Sequence, residues 1–572
     1  MAQGLLDGLL LLLTVESLLY LTLGMVIGLV IGFLPGLGGL ATLALLTPFA
    51  IGMDTGPGLA FILGAYGAVS FGGSITAILF NTPGTGEQTV TTFDGYAMAR
   101  RGQAGRALGV SAASSAFGGI FGVIVLFLAI PVALQLITYL RPPEVFALGV
   151  IGIMVMGVSN ARTRTKGLIS GALGLMLSFI GLDPVTGISR MTFGQLELNS
   201  GLGITAMTMG LFAVTEMIVL YTRGVAIAGT GGVARSKAKG ARVIDGIMDT
   251  VRHWKMVIQC GFLGAISGIV PGLGGTIAMF GAYGYVKARS KDPESFGKGN
   301  PLGVLGPESA NNAKEGGSFV PTLAFGIPGT SGMALVIGIL LIFGFVPGPS
   351  MIANDLDVVF LIAWIIALSN IFASAIGLAL APGLSKLAFV RPPLLAPALI
   401  AISLIGAFID TRMAVSVVIA LVFGAVGYVF RAMGYSNAGL ILGFVLGPVV
   451  DQNLNLSLQI YGPQMFLRPI TLTLLLLVAV GALWGPLKGS ILRRRIKASA
   501  RRSAAAGATH VPAVLSGPRE PGSDAGRREA GVDVGPDGPS EVGAAARPGA
   551  AADRETEPTA HDDDPTTGRR SR

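Results

Sequence analysis

The dominant pattern in this chain is a series of apolar stretches separated by short polar or glycine- and proline-containing breaks, extending to about residue 490. Examples are residues 57–80, 107–129, 201–222, 358–381 and 469–487. A helix needs about 20 mostly apolar residues to cross a bilayer. The pattern therefore predicts an all-α polytopic membrane protein with about 12 spans, some of them re-entrant hairpins.

Two stretches near the N-terminus carry specific expectations. Residues 1–34 form one apolar stretch, interrupted by Glu16, without the basic start or small-residue cleavage site of a signal peptide. We expect an uncleaved first span there. Residues 86–106 are polar and include Asp94, Arg100 and Arg101, so we expect a solvated loop on an aqueous face of the membrane.

Several motifs occur twice, in the same order. Pro35-Gly36-Leu37-Gly38-Gly39 returns as Pro271-Gly272-Leu273-Gly274-Gly275, residues 80–85 resemble residues 325–330, and Arg-Pro-Pro occurs at 141–143 and 391–393. Such duplication is typical of secondary transporters, whose substrate sites lie where broken helices of the two halves meet. We predict two homologous halves, residues 1–222 and 256–490.

The segments outside the two halves are polar. Residues 223–255 are rich in Lys and Arg, which predicts a cytoplasmic connector. Apolar residues at helical spacing within 243–254 predict a short helix that either lies along the inner membrane surface or packs on the protein. Residues 491–572 contain too few large apolar residues to bury a core, which predicts a disordered cytoplasmic tail.

Composition supports the membrane interpretation and excludes other classes. Hydrophobic residues make up 52% of the chain, charged residues 12%, and the mean hydropathy is +0.71. The net charge of +9 comes mostly from loops between apolar stretches, so it indicates topology rather than nucleic-acid binding. The sequence has no phosphate-binding P-loop and no Cys/His cluster, and Cys260 lies in an apolar stretch as a small buried hydrophobe. We therefore expect neither an enzyme nor a bound cofactor.

The breaks suggest how an anion could be held. Backbone N–H groups at a helix N-terminus carry positive partial charge and can replace the water around an anion. Gly84 and Gly329 would let the backbone approach the substrate, and nearby polar side chains suit a carboxylate or a transported Na⁺. The predicted substrate-binding residues are Ser74, Asn81, Thr82, Gly84, Thr85, Ser309, Asn311, Asn312, Gly329, Thr330 and Ser331. The predicted structural breaks are Pro35, Gly36, Gly38, Gly39, Pro83, Pro271, Gly272, Gly274, Gly275 and Pro328.

Other interpretations of these residues stay open at this point. Pro-Gly-Thr is commonly only a turn, and Pro-Gly-Leu-Gly-Gly also suits tight helix packing. Glu216 and Asp451 lie in or beside apolar stretches, where an unpaired carboxylate is costly. Each of these carboxylates either binds a cation or proton, reaches the membrane interface by snorkelling, or pairs with a nearby Arg. Glu308 and Lys314 are predicted to form a structural ion pair.

The same motifs occur in order in a known family: residues 32–39, 72–79, 81–85, 94–96, 307–313 and 326–330. Over residues 15–490 the chain resembles the large membrane subunit of the tripartite tricarboxylate transporters. The resemblance implies a permease in the bacterial cell membrane that imports organic carboxylates with a Na⁺ or H⁺ gradient and without ATP. It also implies two partners, a small membrane subunit and an extracytoplasmic solute-binding protein.

The resemblance leaves some alternatives open. Analogy with permeases that carry paired hairpins favours inverted repeats that move like an elevator. An anion channel could use similar breaks, and a carboxylate carrier could work without a binding protein. The tail after residue 499 lies outside the resemblance.

Overall fold

The chain folds almost entirely into helices in the computed structural model, which describes residues 1–34, 37–159, 163–183, 187–223, 242–271, 273–387 and 392–478. Within these residues the only sheet is a small antiparallel one, in which β1 (Gly181–Leu182) pairs with β2 (Ser189–Arg190). The predicted all-α fold is confirmed.

The helices fall on either side of the basic connector. Those before it are α1 (Ala2–Leu12), α2 (Val15–Phe33), α3 (Gly39–Ala50), α4 (Thr55–Phe80), α5 (Thr89–Arg100), α6 (Ala104–Ile137), α7 (Pro142–Ser159), α8 (Arg164–Leu177), α9 (Ile204–Thr208) and α10 (Thr215–Arg223). The connector itself contains α11 (Val243–Arg252). Those that follow are α12 (Trp254–Ile269), α13 (Gly274–Arg289), α14 (Leu302–Phe325), α15 (Ser331–Ile342), α16 (Pro349–Asn354), α17 (Leu356–Leu387), α18 (Pro392–Thr411), α19 (Ala414–Met433), α20 (Asn437–Tyr461) and α21 (Pro469–Val478).

Six helices in the described residues are long and apolar enough to cross a membrane. They are α2, α4, α6, α17, α19, and α20 with the turn that follows it. Eight shorter apolar helices accompany them. This combination of full-length and short apolar helices confirms a polytopic membrane protein.

Glycine stripes bring two pairs of helices into close contact. Gly24, Gly28 and Gly32 of α2 recur every fourth residue, and a Cβ on any of them would overlap a backbone carbonyl of α4. Gly264 and Gly268 of α12 make the same kind of contact with α14. Small residues allow this approach in membranes, where packing rather than the hydrophobic effect holds helices together. All four helices end at one of the predicted breaks.

The expected first span over residues 1–34 is shorter than predicted: α2 alone is long and apolar enough to span, and a separate helix, α1, precedes it. The Thr14 hydroxyl accepts a hydrogen bond from the backbone N–H of Ser17 at 3.2 Å and so caps the start of α2. The Ser17 hydroxyl donates to the carbonyl of Leu11 at 2.9 Å, near the end of α1. Side chains that cap backbone groups locally can end one helix and start another inside an apolar stretch.

The expected solvated loop over residues 86–106 is also wrong in its central part, which forms α5. Arg100 and Arg101 are exposed, but Asp94 is fully buried. The Asp94 carboxylate accepts the backbone N–H groups of Gly299 and Asn300, each at 2.8 Å. The tertiary contact with the segment before α14 therefore buries a carboxylate that hydropathy alone places in water.

Helix α11 covers the N-terminal end of α6. Gly109 and Gly246 let the two backbones touch, and Arg106 Nε donates to Asp249 Oδ2 at 2.6 Å. On the opposite side of α11 the apolar side chains Ile244, Met248 and Val251 are exposed. The helix thus packs on the protein and also presents an apolar face outwards. Residues 224–241 of the connector lie outside the described residues.

We expect the connector to lie on the cytoplasmic side, because its Lys and Arg residues follow the positive-inside tendency. A Lys237→Cys variant should react with an impermeant maleimide only after cell lysis. The only native cysteine, Cys260, is buried, so the background should be low. Labelling of Lys237→Cys in intact cells would contradict this orientation.

Candidate functional site

Helices α4 and α14 end in the same geometry. Asn81 follows α4 with φ 57°, and Gly326 follows α14 with φ 68°. The N–H of the next residue bonds to the carbonyl six residues earlier, at 3.5 Å after α4 and 3.1 Å after α14. This left-handed cap with a six-residue return is typical of a Schellman end, which stops a helix and turns the chain. Pro-Gly-Thr follows both ends.

A cavity of about 850 Å³ is lined by both of these breaks. Of the predicted substrate-binding residues, those in its wall are Thr82, Gly84, Thr85, Thr330 and Ser331. Of the predicted structural breaks, those in its wall are Gly38, Gly39, Pro83, Gly274 and Gly275. The structure therefore brings together four breaks that are far apart in sequence.

Three of the predicted substrate-binding residues point into helix contacts instead. Ser309 Oγ donates to the carbonyl of Leu305 at 2.8 Å, and Asn312 Nδ2 donates to the carbonyl of Glu308 at 3.1 Å. Ser74 Oγ donates to the Glu308 carboxylate at 2.9 and 3.0 Å. All three side chains are buried and none lines the cavity.

The remaining predicted residues lie behind or beside the wall. Asn81 is exposed at the end of α4, and Gly329 is buried with its N–H on Thr322 Oγ1 at 3.3 Å. Asn311 Nδ2 donates to the Ser70 hydroxyl at 2.5 Å, and Ser70 itself lines the cavity. Pro271 and Pro328 do not line it. Pro35, Gly36 and Gly272 lie outside the described residues.

Lys314 forms a buried ion-pair cluster in the cavity wall. Its Nζ lies 3.0 Å from both carboxylate oxygens of Glu87 and 2.8 Å from Glu315 Oε1, and its side chain is 2% exposed. The Tyr66 hydroxyl donates to Glu315 Oε2 at 2.9 Å. A Cβ at Gly275 would lie 2.7 Å from Lys314 Nζ, so the glycine at this break leaves room for the cluster.

The predicted ion pair between Glu308 and Lys314 is therefore wrong. Positions six apart on an α-helix differ by about 240° in direction, so the two side chains leave different faces of α14. The sequence feature that could have revealed this cluster is Lys314 next to Glu315 in a helix packed in the membrane, where a buried charge needs a partner. That signal does not identify Glu87, which lies 227 residues away.

The two other in-span carboxylates pair with arginines. Glu216 Oε1 lies 2.5 Å from Arg431 Nη1, and both residues line the cavity. Asp451 Oδ2 lies 2.9 Å from Arg190 Nη1. Pairing with a nearby Arg is the correct interpretation for both carboxylates.

Three helix N-termini open into the cavity within the described residues. They belong to α3, α13 and α15, whose first residues Gly39, Gly274 and Ser331 all line it. The N-cap residues Gly38, Leu273 and Thr330 make no capping hydrogen bond with their own side chains. Backbone N–H groups of a helix's first turn have no partner within the helix, so these termini are suited to oxygen anions in the cavity.

Comparisons with known proteins identify the family of this chain. The model of the family described as "Tripartite tricarboxylate transporter TctA family" matches residues 18–442. A protein of Agrobacterium vitis described as "Uncharacterized 52.8 kDa protein in TAR-I ttuC' 3'region" is 34% identical over 452 residues, which cover 78% of this chain and 88% of that protein. No solved structure matches the chain.

A second Agrobacterium vitis protein, described as "Uncharacterized protein in TAR-II ttuC' 3'region", is 35% identical over 197 residues, or 34% of this chain and 81% of that protein. The first relative and the family model each cover most of the apolar part of the sequence. The membrane-spanning helices, the paired breaks and these matches lead to one conclusion: the chain belongs to the tripartite tricarboxylate transporter TctA family.

Proposed function

We propose that this chain is the large permease subunit that carries tricarboxylates or related organic carboxylates across the bacterial cell membrane, driven by a Na⁺ or H⁺ gradient. The observation that carries the proposal is the convergence of three helix N-termini on one cavity of about 850 Å³. A carboxylate at such a terminus gains roughly 0.3–1 kcal/mol, and up to about 2 kcal/mol where it is partly buried.

The charges of the wall support coupling to a cation. The charged side chains that line the cavity are Glu87, Glu216, Glu315, Lys314 and Arg431, so acids outnumber bases, and both bases are already paired. Two like charges about 5 Å apart repel by roughly 3 kcal/mol at an effective dielectric constant near 20. That cost exceeds the gain at one helix terminus, so we infer that cations enter together with the anionic substrate.

The matching ends of α4 and α14 support two homologous halves, residues 1–222 and 256–490. We propose that the halves are inverted repeats with elevator-like movement, joined by the cytoplasmic connector 223–255 and followed by the tail 491–572. The word "tripartite" in the family description supports partner subunits, and we propose a small membrane subunit and an extracytoplasmic solute-binding protein.

We expect radiolabelled citrate to enter membrane vesicles saturably when the chain, the small subunit and the binding protein are all present and a cation gradient is imposed. Leaving out the binding protein should reduce high-affinity uptake to near background, because the substrate is then not delivered to the cavity. Vesicles made from cells that lack the permease are the control.

Two other outcomes would contradict the proposal. Uptake that is equally strong without the binding protein would indicate a carrier that works alone. Gradient-independent anion current at a very high turnover would indicate a channel.

A further inference from the structure

We propose that Glu308 and the hydroxyl groups around it form the binding site of one monovalent cation, Na⁺ or a proton, that is carried in the transport cycle. This inference rests on the proposed gradient-driven transport. The site lies among α4, α5, α6 and α14, and Glu308 does not line the cavity.

The Glu308 carboxylate is fully buried, and within the described residues the side chains that hydrogen-bond to it are hydroxyl groups. Thr91 Oγ1 donates to Oε1 at 2.5 Å, Ser115 Oγ donates to Oε2 at 3.1 Å, and Ser74 Oγ reaches both oxygens. No Lys, Arg or His within the described residues forms an ion pair with Glu308. A buried carboxylate without a positive partner is costly in a membrane protein, and a bound cation would remove that cost.

A fourth hydroxyl points to the same place. Ser111, one turn before Ser115 on α6, faces the Glu308 carboxylate. Its Oγ is buried and close enough to interact with the carboxylate, but it makes no hydrogen bond of regular geometry within the described part of the chain. A buried polar atom without a full hydrogen bond calls for an explanation, such as an ion that binds there. Because Ser111 Oγ is already desolvated and faces the carboxylate, it is suited to coordinate a cation bound there.

A comparison with Asp94 shows why the surroundings of Glu308 suit a cation that comes and goes. Asp94 is equally buried, but two backbone N–H groups at 2.8 Å and the Tyr283 hydroxyl at 2.9 Å hold it. A backbone N–H can only donate, so it stabilises a permanent anion. A hydroxyl can rotate and either donate to the bare carboxylate or turn a lone pair to a cation. Within the described residues, the hydrogen-bond partners of the Glu308 carboxylate are of the second kind.

The ligand set also limits the class of cation. One carboxylate with several hydroxyl oxygens offers hard oxygen ligands and a single negative charge, which one Na⁺ or one proton balances. A divalent ion would leave an excess positive charge in this buried place. No group of three or more His, Cys, Asp or Glu side chains lies together anywhere in the described residues.

Of the other ionisable groups on the helices packed around this point, the buried ones bond to partners other than Glu308, and Arg100 of α5 is exposed. Asp94 and Tyr283 bond to each other, Arg106 pairs with Asp249, and Lys314 pairs with Glu87 and Glu315. Titration of the site therefore depends on Glu308 itself.

Two sets of contacts connect the Glu308 site to the cavity wall. Thr91 lies one turn after Gln88 on α5, and Gln88 Oε1 accepts the backbone N–H of Thr85 at 3.0 Å. Thr85 and Gln88 both line the cavity. On the other side, Ser74 follows Gly73, against which Gly84 of the first break packs. A cation on Glu308 thus acts on the two elements that shape the first break.

The test is Glu308→Gln, which keeps the size of the side chain and removes its charge. Radiolabelled citrate is used in vesicles that contain the full chain with its transporter subunits, under a Na⁺ gradient in one arm and a pH gradient in the other. Glu308→Gln should lose gradient-driven accumulation but keep exchange of internal for external citrate. Glu294→Gln, an exposed glutamate before α14, is the matched control and should accumulate citrate normally.

The two arms identify the cation. Glu308→Gln can lose citrate accumulation only under the gradient, Na⁺ or pH, that drives accumulation by the wild type. Thr91→Val removes the closest hydroxyl and should shift the half-saturating Na⁺ concentration, or the pH midpoint expressed as proton concentration, by about 3- to 10-fold.

This variant decides the question if Glu308→Gln reaches the membrane but is inactive in both assays. Unchanged cation dependence in Thr91→Val, or normal accumulation by Glu308→Gln, would overturn the proposal. A wild type without any gradient-driven uptake would instead refute the transport function itself.

Discussion

Replacing Lys314 by methionine is expected to abolish citrate uptake and to lower the amount of folded protein in the membrane. Lys314 Nζ is the shared partner of Glu87 and Glu315, and its side chain is 2% exposed. Removing one partner of a buried ion pair costs roughly 3–5 kcal/mol, because the remaining charge stays buried without compensation. Here two carboxylates would remain.

A compensated variant separates stability from transport. Glu87→Gln and Glu315→Gln added to Lys314→Met remove all three charges, so the triple variant should return to near-normal membrane levels. We expect its citrate uptake to stay near background, because the bond that joins Glu87, next to the first break, to Lys314 of α14 is then lost and the break is no longer held in place. Melting temperature in detergent and labelled uptake in vesicles measure the two effects. Normal uptake by a well-expressed triple variant would show that the cluster serves only structure.

Valine at Gly84 or at Gly329 is expected to leave transport nearly inactive. A Cβ at Gly84 would lie 2.5 Å from Gly73 Cα and 2.7 Å from the carbonyl oxygen of Gly32. A Cβ at Gly329 would lie 2.5 Å from the carbonyl oxygen of Gly268. These neighbours are backbone atoms, so each break would have to move away from the helix pair beneath it, and the cavity would change shape.

The control is Gly281→Val on α13, where a Cβ meets nothing within 4 Å. It should keep most of its uptake and a normal membrane level. The two break variants should reach the membrane in reduced but measurable amounts and still fail to transport after correction for their amount. Uptake per molecule equal to that of Gly281→Val would show that these breaks are only turns.

The structure gives a further physical reason for these two glycines. Neither has a positive φ, and Gly84 lines the cavity whereas Gly329 does not. They allow contact between a break and the helices below it. Gly326 does require a positive φ of 68°.

The sequence could predict the features that depend on residues close together in the chain. A left-handed cap followed by Pro-Gly-Thr stops a helix through its own backbone chemistry, so both breaks were found, and hydropathy over some 20 residues gave the membrane class. The partners of buried polar groups could not be predicted in this way. Glu308 meets Ser74, Thr91 and Ser115 across 193 to 234 residues, and only the packing of four helices decides which face of each helix is turned inwards.

The glycine-packed helix pairs bear on how this protein is made. The partners α2 and α4 are separated in sequence only by α3, and α12 and α14 lie similarly close. Their contacts immobilise few rotamers and close short loops, both of which keep the entropic cost of association low. Each pair can therefore assemble as soon as its own segment has entered the bilayer. The bond between Lys314 and Glu87 joins residues that are 227 positions apart. The cavity is therefore completed only after synthesis has passed α14, by association of helix pairs that have already formed.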